Sequence, residues 1–259
     1  MHLLLPPSEG KTVGGRGRPL RRRPPSADPL GTARDAALGA LLDLVAGDAH
    51  AAADALLLPD GVVAPALAVN TRVLDSPTTP ALRRYAGVVY DGFGFAALSV
   101  PEQRIAARST LIFSGLFGVV RGDEPVPAYR VPAKAVLPGL GVASTFWRPV
   151  LADVVPALVR RGLVVDLRSS DYAAMWRPGR AVAERVVAVR ILSPAPRGGY
   201  AVISYNSKLA KGRLAAALVR RVARGLPVAG PDDLGAAWIE SGGADYVVNE
   251  IGSLDLYAG

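Results

Sequence analysis

The chain has 259 residues, half of them apolar, enough to bury a substantial core, and its 30 Lys and Arg against 22 Asp and Glu leave a net charge of +8. It has no cysteine and only two histidines, His2 and His50. This excludes disulfides, cysteine-ligated zinc, iron–sulfur clusters and a thiol nucleophile, and no Asp/Glu constellation has ligand spacing, so no metal and no cofactor is expected.

The first residues, HLLL at 2–5, predict a strand, and the turn after it ends in Gly10-Lys11-Thr12. A phosphate-cradling P-loop would need glycine five positions before Gly10, where Leu5 stands. It would also need N–H donors at Pro6 and Pro7, which have none. Ser8, Glu9 and Lys11 therefore form a polar cluster of another kind. Residues 13–31, rich in Gly, Arg and Pro, predict an exposed, mobile loop.

Thr32 is the expected N-cap of a helix over TARDAALGALLDLVAGD, and AHAAADALLL continues as helix. Residues 59–80 carry turn signals, and PALRRYAGVVYDGF reads as a short helix followed by an extended piece. EQRIAARS predicts a helix and TLIFSGLFGVV one buried strand. EPVPAYRVP is a proline-stiffened loop, and STFWRPVLADVVPALVRRG a helix bent at Pro156. LVVDLRSS is a short strand. ERVVAVRIL and YAVISYN are two strands about the turn SPAPRGG, and a long helix follows in SKLAKGRLAAALVRRVA. DDLGAAWIES predicts a helix, DYVVNE a strand, and SLDLYA follows. The alternation predicts a single α/β (α+β) domain over 1–259, with a mixed sheet flanked by helices.

Four of these apolar strands run into polar clusters: Ser8, Glu9 and Lys11; Ser114 and Gly115; Asp166, Arg168, Ser169 and Ser170; Ser204, Asn206, Lys208 and Lys211. Ligands of α/β sheets bind at the carboxyl ends of strands, and these groups suit an anion. Each cluster also has a plain structural reading. Asp166 and Arg168 share a strand face and can be an ion pair. Ser114-Gly115 can be a turn. Lys208 and Lys211 can be a solvated basic face, and Glu9 and Lys11 a surface pair. Trp147-Arg148 reads as core packing with a snorkelled arginine. Tyr129 and Arg130, on the stiffened loop, are the more suggestive pair. The basic balance, with arginine clusters at 16–23 and 220–224, favours polyanionic partners. No run of about 18 apolar residues and no basic leader is present, so the expectation is a cytoplasmic protein without a membrane partner.

LLPPSEGK, YAGVVYDG, SGLFGVVRGDEPVPAYR, FWRPVL, VVDLRSSDY and ISYNSKLAKGRL occur in this order between residues 4 and 214. Together they resemble the YaaA family of peroxide stress response proteins, with the PPSE opening closer to its actinobacterial branch than to the enteric one. The resemblance implies a mixed α/β domain, protection from hydrogen peroxide with lowered free iron, and binding of double-stranded DNA. It carries over Lys11, Tyr90, Gly92, Ser114, Gly115, Arg121, Tyr129, Arg130, Trp147, Asp166, Ser204, Lys208, Lys211, Gly212 and Arg213. It covers little beyond residue 225.

Two expectations follow. One is a DNA- or nucleotide-binding stress protein, a monomer, whose contacts are Ser8, Lys11, Ser114, Gly115, Arg121, Arg130, Arg168, Ser204, Lys208 and Arg213. The other is a metal-free hydrolase or lyase acting on a nucleotide, nucleobase or similar anion. There Lys211 or Tyr129, lowered in pKa by nearby cations, would be the base, and Asp166 or Glu9 the acid or orienter. Either way, Lys11, Ser114, Arg130, Asp166 and Lys208 are expected to line one cavity.

Overall fold

A computed structural model describes residues 1–22, 30–195, 198–249 and 252–258. Its main sheet holds β1 (His2–Leu5), β2 (Thr110–Ser114), β3 (Gly118–Arg121), β4 (Val164–Asp166), β5 (Val186–Pro194), β6 (Tyr200–Ala201), β7 (Asp245–Asn249) and β8 (Ser253–Tyr257). The spatial order is β7-β8-β5-β4-β1-β2-β3, with β6 paired to the end of β5. The central strands β8, β5, β4, β1 and β2 are mutually parallel, and the edges β7 and β3 are antiparallel. The fold is therefore mixed α/β. β1 and β2 are buried along almost their whole length, which is why they read as unbroken apolar runs.

The helices that matter for the site are α1 (Gly31–Ala46), α2 (Val63–Thr71), α3 (Val88–Phe93), α4 (Val100–Ser109), α5 (Ala143–Leu158), α6 (Ser204–Ala223) and α7 (Pro231–Glu240). α6 packs on α3, α4, α7 and β5. α3 and α6 approach backbone to backbone, because Gly92 and Gly212 face across the contact. A Cβ on Gly212 would lie 2.0 Å from the Val89 carbonyl oxygen, and one on Gly92 2.2 Å from that of Leu209. α4 opens with a capping box between Ser99 and Glu102.

Several local expectations fail for identifiable reasons. Residues 63–71 form α2 despite the turn residues around them, because Asn70, fully buried, is anchored to the Arg130 backbone. VVYDGF is α3 and not extended, its apolar side packed on α6. TLIFSGLFGVV is a hairpin of β2 and β3, folded at Gly115–Phe117 by Ser114, whose Oγ accepts from the Leu116 and Phe117 N–H groups. YAVISYN yields only Tyr200–Ala201 as strand, and α6 already begins at Ser204. Leu30, without a side-chain cap, precedes α1, so Thr32 is inside the helix and not its N-cap.

The loop after β1 is held by Arg84. This fully buried arginine donates to the carbonyls of Thr12, Gly14, Pro77 and Val126 and to the Thr79 hydroxyl, and no carboxylate is among these partners. Gly17 and Thr78 exchange backbone hydrogen bonds beside it. The near part of the arginine-rich loop is thus tied to the body, while residues 23–29 and the Arg22 side chain lie outside the described residues.

Candidate anion-binding cleft

β1 leads to β2 on one side, whereas β4, on the other side of β1, is followed outward by β5 and β8. Strand order therefore reverses at β1 and β4, the place where open α/β sheets leave a crevice at the carboxyl ends. A cleft of about 810 Å³ occupies it. Its walls are Pro6 to Glu9 after β1, Leu167 to Ser170 after β4, Val189 to Ile191 of β5, and Ser207, Lys208 and Lys211 from the first turns of α6. Gly87 to Val89, Val202 and Tyr172 complete it. A smaller cavity of about 260 Å³, lined among others by Arg130, Lys134, Asp171 and Pro132, shares Glu9 and Tyr172 with the cleft.

Of the residues expected to converge, Ser8, Glu9, Arg168, Lys208 and Lys211 line the cleft, and Arg130 lines the adjoining cavity. Lys11, Ser114 and Asp166 line neither, so the five residues expected in one cavity do not share it. Ser114 is buried under the hairpin turn. Arg121 lies opposite Leu111, at the far end of the hairpin from Ser114, and pairs with Asp123. Gly115 is core: its carbonyl accepts from Trp147 Nε1 at 2.9 Å. Arg213 is exposed on α6, and the Ser204 side chain lies outside the described residues.

Asp166 and Arg168 realise the ion-pair reading. Arg168 Nε and Nη2 donate to the two Asp166 oxygens at 2.9 and 2.6 Å. Its guanidinium is also stacked on Phe113, 4.2 Å from the ring centroid, and faces Trp176. Both carboxylate oxygens of Asp166 are engaged, which leaves it poorly placed to act as an acid in the cleft.

Beneath Ser8 lies a polar knot. Tyr129 OH is 2.7 Å from Ser114 Oγ and 2.6 Å from Tyr85 OH, while Tyr85 stacks on Tyr90, whose hydroxyl donates to the Pro6 carbonyl. Lys11 covers the knot: its Nζ donates to the Ser8 carbonyl at 2.7 Å and sits 4.2 Å from the Tyr129 ring centroid. Burial lowers the Lys11 pKa to about 7, Glu9 opposes the drop, and Arg130 and Arg84 add to it. Burial pushes Tyr129 far up, the reverse of the depression a tyrosinate base needs.

Lys211 is half-buried and donates to the Arg168 carbonyl at 3.0 Å; burial lowers its pKa, with Asp166 opposing. Lys208 is exposed at the cleft. Arg130 is fixed by Asn70, which donates to its carbonyl and accepts from its N–H, and its Nε lies 3.5 Å from a Glu9 oxygen.

Sequence reasoning passed over Tyr172, Ser207 and Arg190 as site residues. Tyr172 closes the motif VVDLRSSDY, and an arginine inside the apolar run VVAVRIL was the signal for Arg190. Arg190 pairs across strands with Asp255 at 2.5 Å and lines the cleft. The Tyr172 hydroxyl is buried and makes no hydrogen bond of standard geometry, although the Ala133 backbone is near enough to lower its pKa slightly. Burial, and then the Glu9 charge, drive that pKa strongly upward, so the group stays a neutral donor.

The 220–224 arginine cluster is partly structural. Arg221 reaches Glu240, Asp233 and the Pro227 carbonyl, and Arg224 reaches Glu240, fastening α7 to α6. Among the described residues no group of three or more His, Asp or Glu could hold a metal ion. No single helix among them is long and apolar enough to cross a membrane.

The family model described as "Peroxide stress protein YaaA" matches residues 1–227. A UPF0246 protein of Streptomyces coelicolor is 43% identical over 90% of this chain and 87% of its own length. A UPF0246 protein of Corynebacterium glutamicum is 34% identical over 84% of each chain. The chain therefore belongs to the YaaA family of peroxide stress proteins.

Proposed function

We propose that this peroxide stress protein works in the cytoplasm by binding a phosphorylated anion, a DNA strand or a nucleotide, in the cleft at the carboxyl ends of β1 and β4. The observation that carries this reading is the convergence of Lys208 and Lys211, from the opening turns of a 20-residue helix, on a cleft also lined by Ser8, Ser169, Ser170 and Ser207. Lys208 and Lys211, three residues apart on one face of this helix, repel each other, and an anion held between them removes that repulsion. The basic surface adds a longer-range attraction.

A second reading, metal-free chemistry on the bound nucleotide, rests on Lys211. Its amine is half-buried, lowered in pKa by burial and set in the same cleft as the carboxylate of Glu9. In this reading Lys211 takes a proton and Glu9 orients or supplies one.

The test is fluorescence anisotropy with labelled single- and double-stranded oligonucleotides, competed by nucleotides, across a salt series. Affinity should fall with a slope of about −0.9 per duplex phosphate contacted in log K against log salt, and Lys208→Ala should flatten the slope by about one contact. Binding that ignores salt and survives Lys208→Ala and Lys211→Ala would remove the cleft from consideration.

A further inference from the structure

Resting on that reading, we propose that the cleft and the smaller cavity beside it form one bipartite site for a nucleoside 5′-monophosphate unit. Its phosphate lies at the head of α6 and its base in the cavity between Glu9, Arg130 and Tyr172. The unit can be a free nucleotide or the terminal nucleotide of a DNA strand, since the recognised chemistry is the same.

The two cavities, about 810 and 260 Å³, share Glu9 and Tyr172 as walls, so they adjoin at these two side chains, and the proposed ligand reaches from one to the other beside them. The chemistry differs between the ends. At the α6 end stand Lys208 and Lys211, one helical turn apart, with Ser207, a largely buried residue that also lines the cleft. Lys211 spends one of three donors on the Arg168 carbonyl and keeps two. A phosphate monoester, close to a dianion at neutral pH, matches this end. It would also restore the charge that burial disfavours on Lys211.

At the other end the groups are of mixed character. Tyr172, 8% exposed, carries a buried hydroxyl whose neighbour is the Ala133 backbone and which makes no hydrogen bond of standard geometry. A buried donor of this kind costs stability unless something supplies an acceptor. Glu9 offers carboxylate acceptors, and Arg130, its backbone fixed by Asn70, brings a guanidinium whose Nε lies 3.5 Å from Glu9. A planar heterocycle with donors and acceptors on one edge fits such a set, whereas a second phosphate would meet Glu9. A base in this cavity must be unpaired, so paired bases inside a duplex are excluded from it.

The experiment is calorimetric titration with nucleoside 5′-monophosphates, nucleosides, ribose 5-phosphate and inorganic phosphate. Single strands with and without a 5′-phosphate, and a blunt duplex, are titrated in parallel. At least one nucleoside 5′-monophosphate should bind tenfold or more tighter than both its nucleoside and ribose 5-phosphate. Tyr172→Phe should weaken that nucleotide about fivefold, leave ribose 5-phosphate unchanged and keep or raise the melting temperature. Lys208→Ala should weaken both. Tighter binding of the 5′-phosphorylated strand than of its unphosphorylated twin identifies a DNA end as the source, and preference for the free nucleotide identifies a small molecule; either supports the site. Ribose 5-phosphate binding as tightly as the nucleotides, with no effect of Tyr172→Phe, overturns the base cavity while anion binding in the cleft stands. So does duplex binding that nucleotides do not compete. Failure of every anion and oligonucleotide to bind removes both the inference and the reading beneath it.

Discussion

Arg168 grips Asp166 through two hydrogen bonds, 2.6 and 2.9 Å, with only 1% of the arginine side chain exposed. Removing one partner of such a buried pair strands the other, at a cost of about 3–5 kcal/mol. Asp166→Ala should therefore lower stability by an amount of that order in urea denaturation. Replacing both residues, Asp166→Val with Arg168→Met, should recover much of it. A loss of anion binding by Asp166→Ala at unchanged stability would instead make Asp166 part of the site.

Gly92 and Gly212 set the distance between α3 and α6, and the clash at Gly212 is with backbone atoms, which cannot swing aside. Gly212→Ala should cost about 1–3 kcal/mol or more through overpacking. Gly39, inside α1 with open space around it, is the control: Gly39→Ala should stabilise by about 0.5–1 kcal/mol. Equal melting temperatures for the two variants would contradict the close approach of these helices.

Lys11 should make stability rise with pH. The folded protein releases its proton near pH 7, because burial lowers its pKa to about 7, whereas the unfolded chain holds it to about pH 10.4. Between these values the unfolded state binds more protons, so stability increases as pH rises, and the burial penalty is complete only below pH 7. Lys11→Met should lack this rise. The gap between the two proteins should shift by on the order of 1–3 kcal/mol from pH 7 to 10, read by denaturation at several pH values. Parallel pH profiles would place the Lys11 pKa in the ordinary range.

The two cleft lysines should separate stability from binding. Lys208→Ala removes an exposed cation from a helix start and should change stability by less than about 0.5 kcal/mol. Lys211→Ala loses the hydrogen bond to the Arg168 carbonyl but relieves a disfavoured buried charge, for a net change within about 1 kcal/mol. Both should weaken anion binding severalfold in anisotropy titrations. A double variant that melts far lower yet binds normally would make these lysines structural.

Much of the architecture was legible locally. The apolar runs HLLL and TLIF are central strands buried on both faces of a parallel sheet, which leaves a continuous apolar signature, whereas VVAVRIL alternates, with Ala188 and Arg190 exposed. α1, α4, α6 and α7 were readable from helical spacing. Among the misread elements are the hairpin at TLIFSGLFGVV, the strand expected at YAVISYN, and α2 and α3, two short helices whose state is set by a distant partner. Asn70 clamps Arg130, and Gly92 admits α6.

The sequence by itself determined the family, the mixed α/β class and a set of polar residues at strand ends. Tertiary structure alone decided which of them face the cleft. Charge reads the same in sequence whether its counter-charge lies across space or not. Arg190 found Asp255, and Arg221 found Glu240, while Lys208 was left at a cleft. Tyr172 closes the motif VVDLRSSDY, but only folding placed it, with its hydroxyl buried, at the wall shared by two cavities. Hydrogen-bond satisfaction and burial are sums over contacts distant in sequence, so no local pattern can express them.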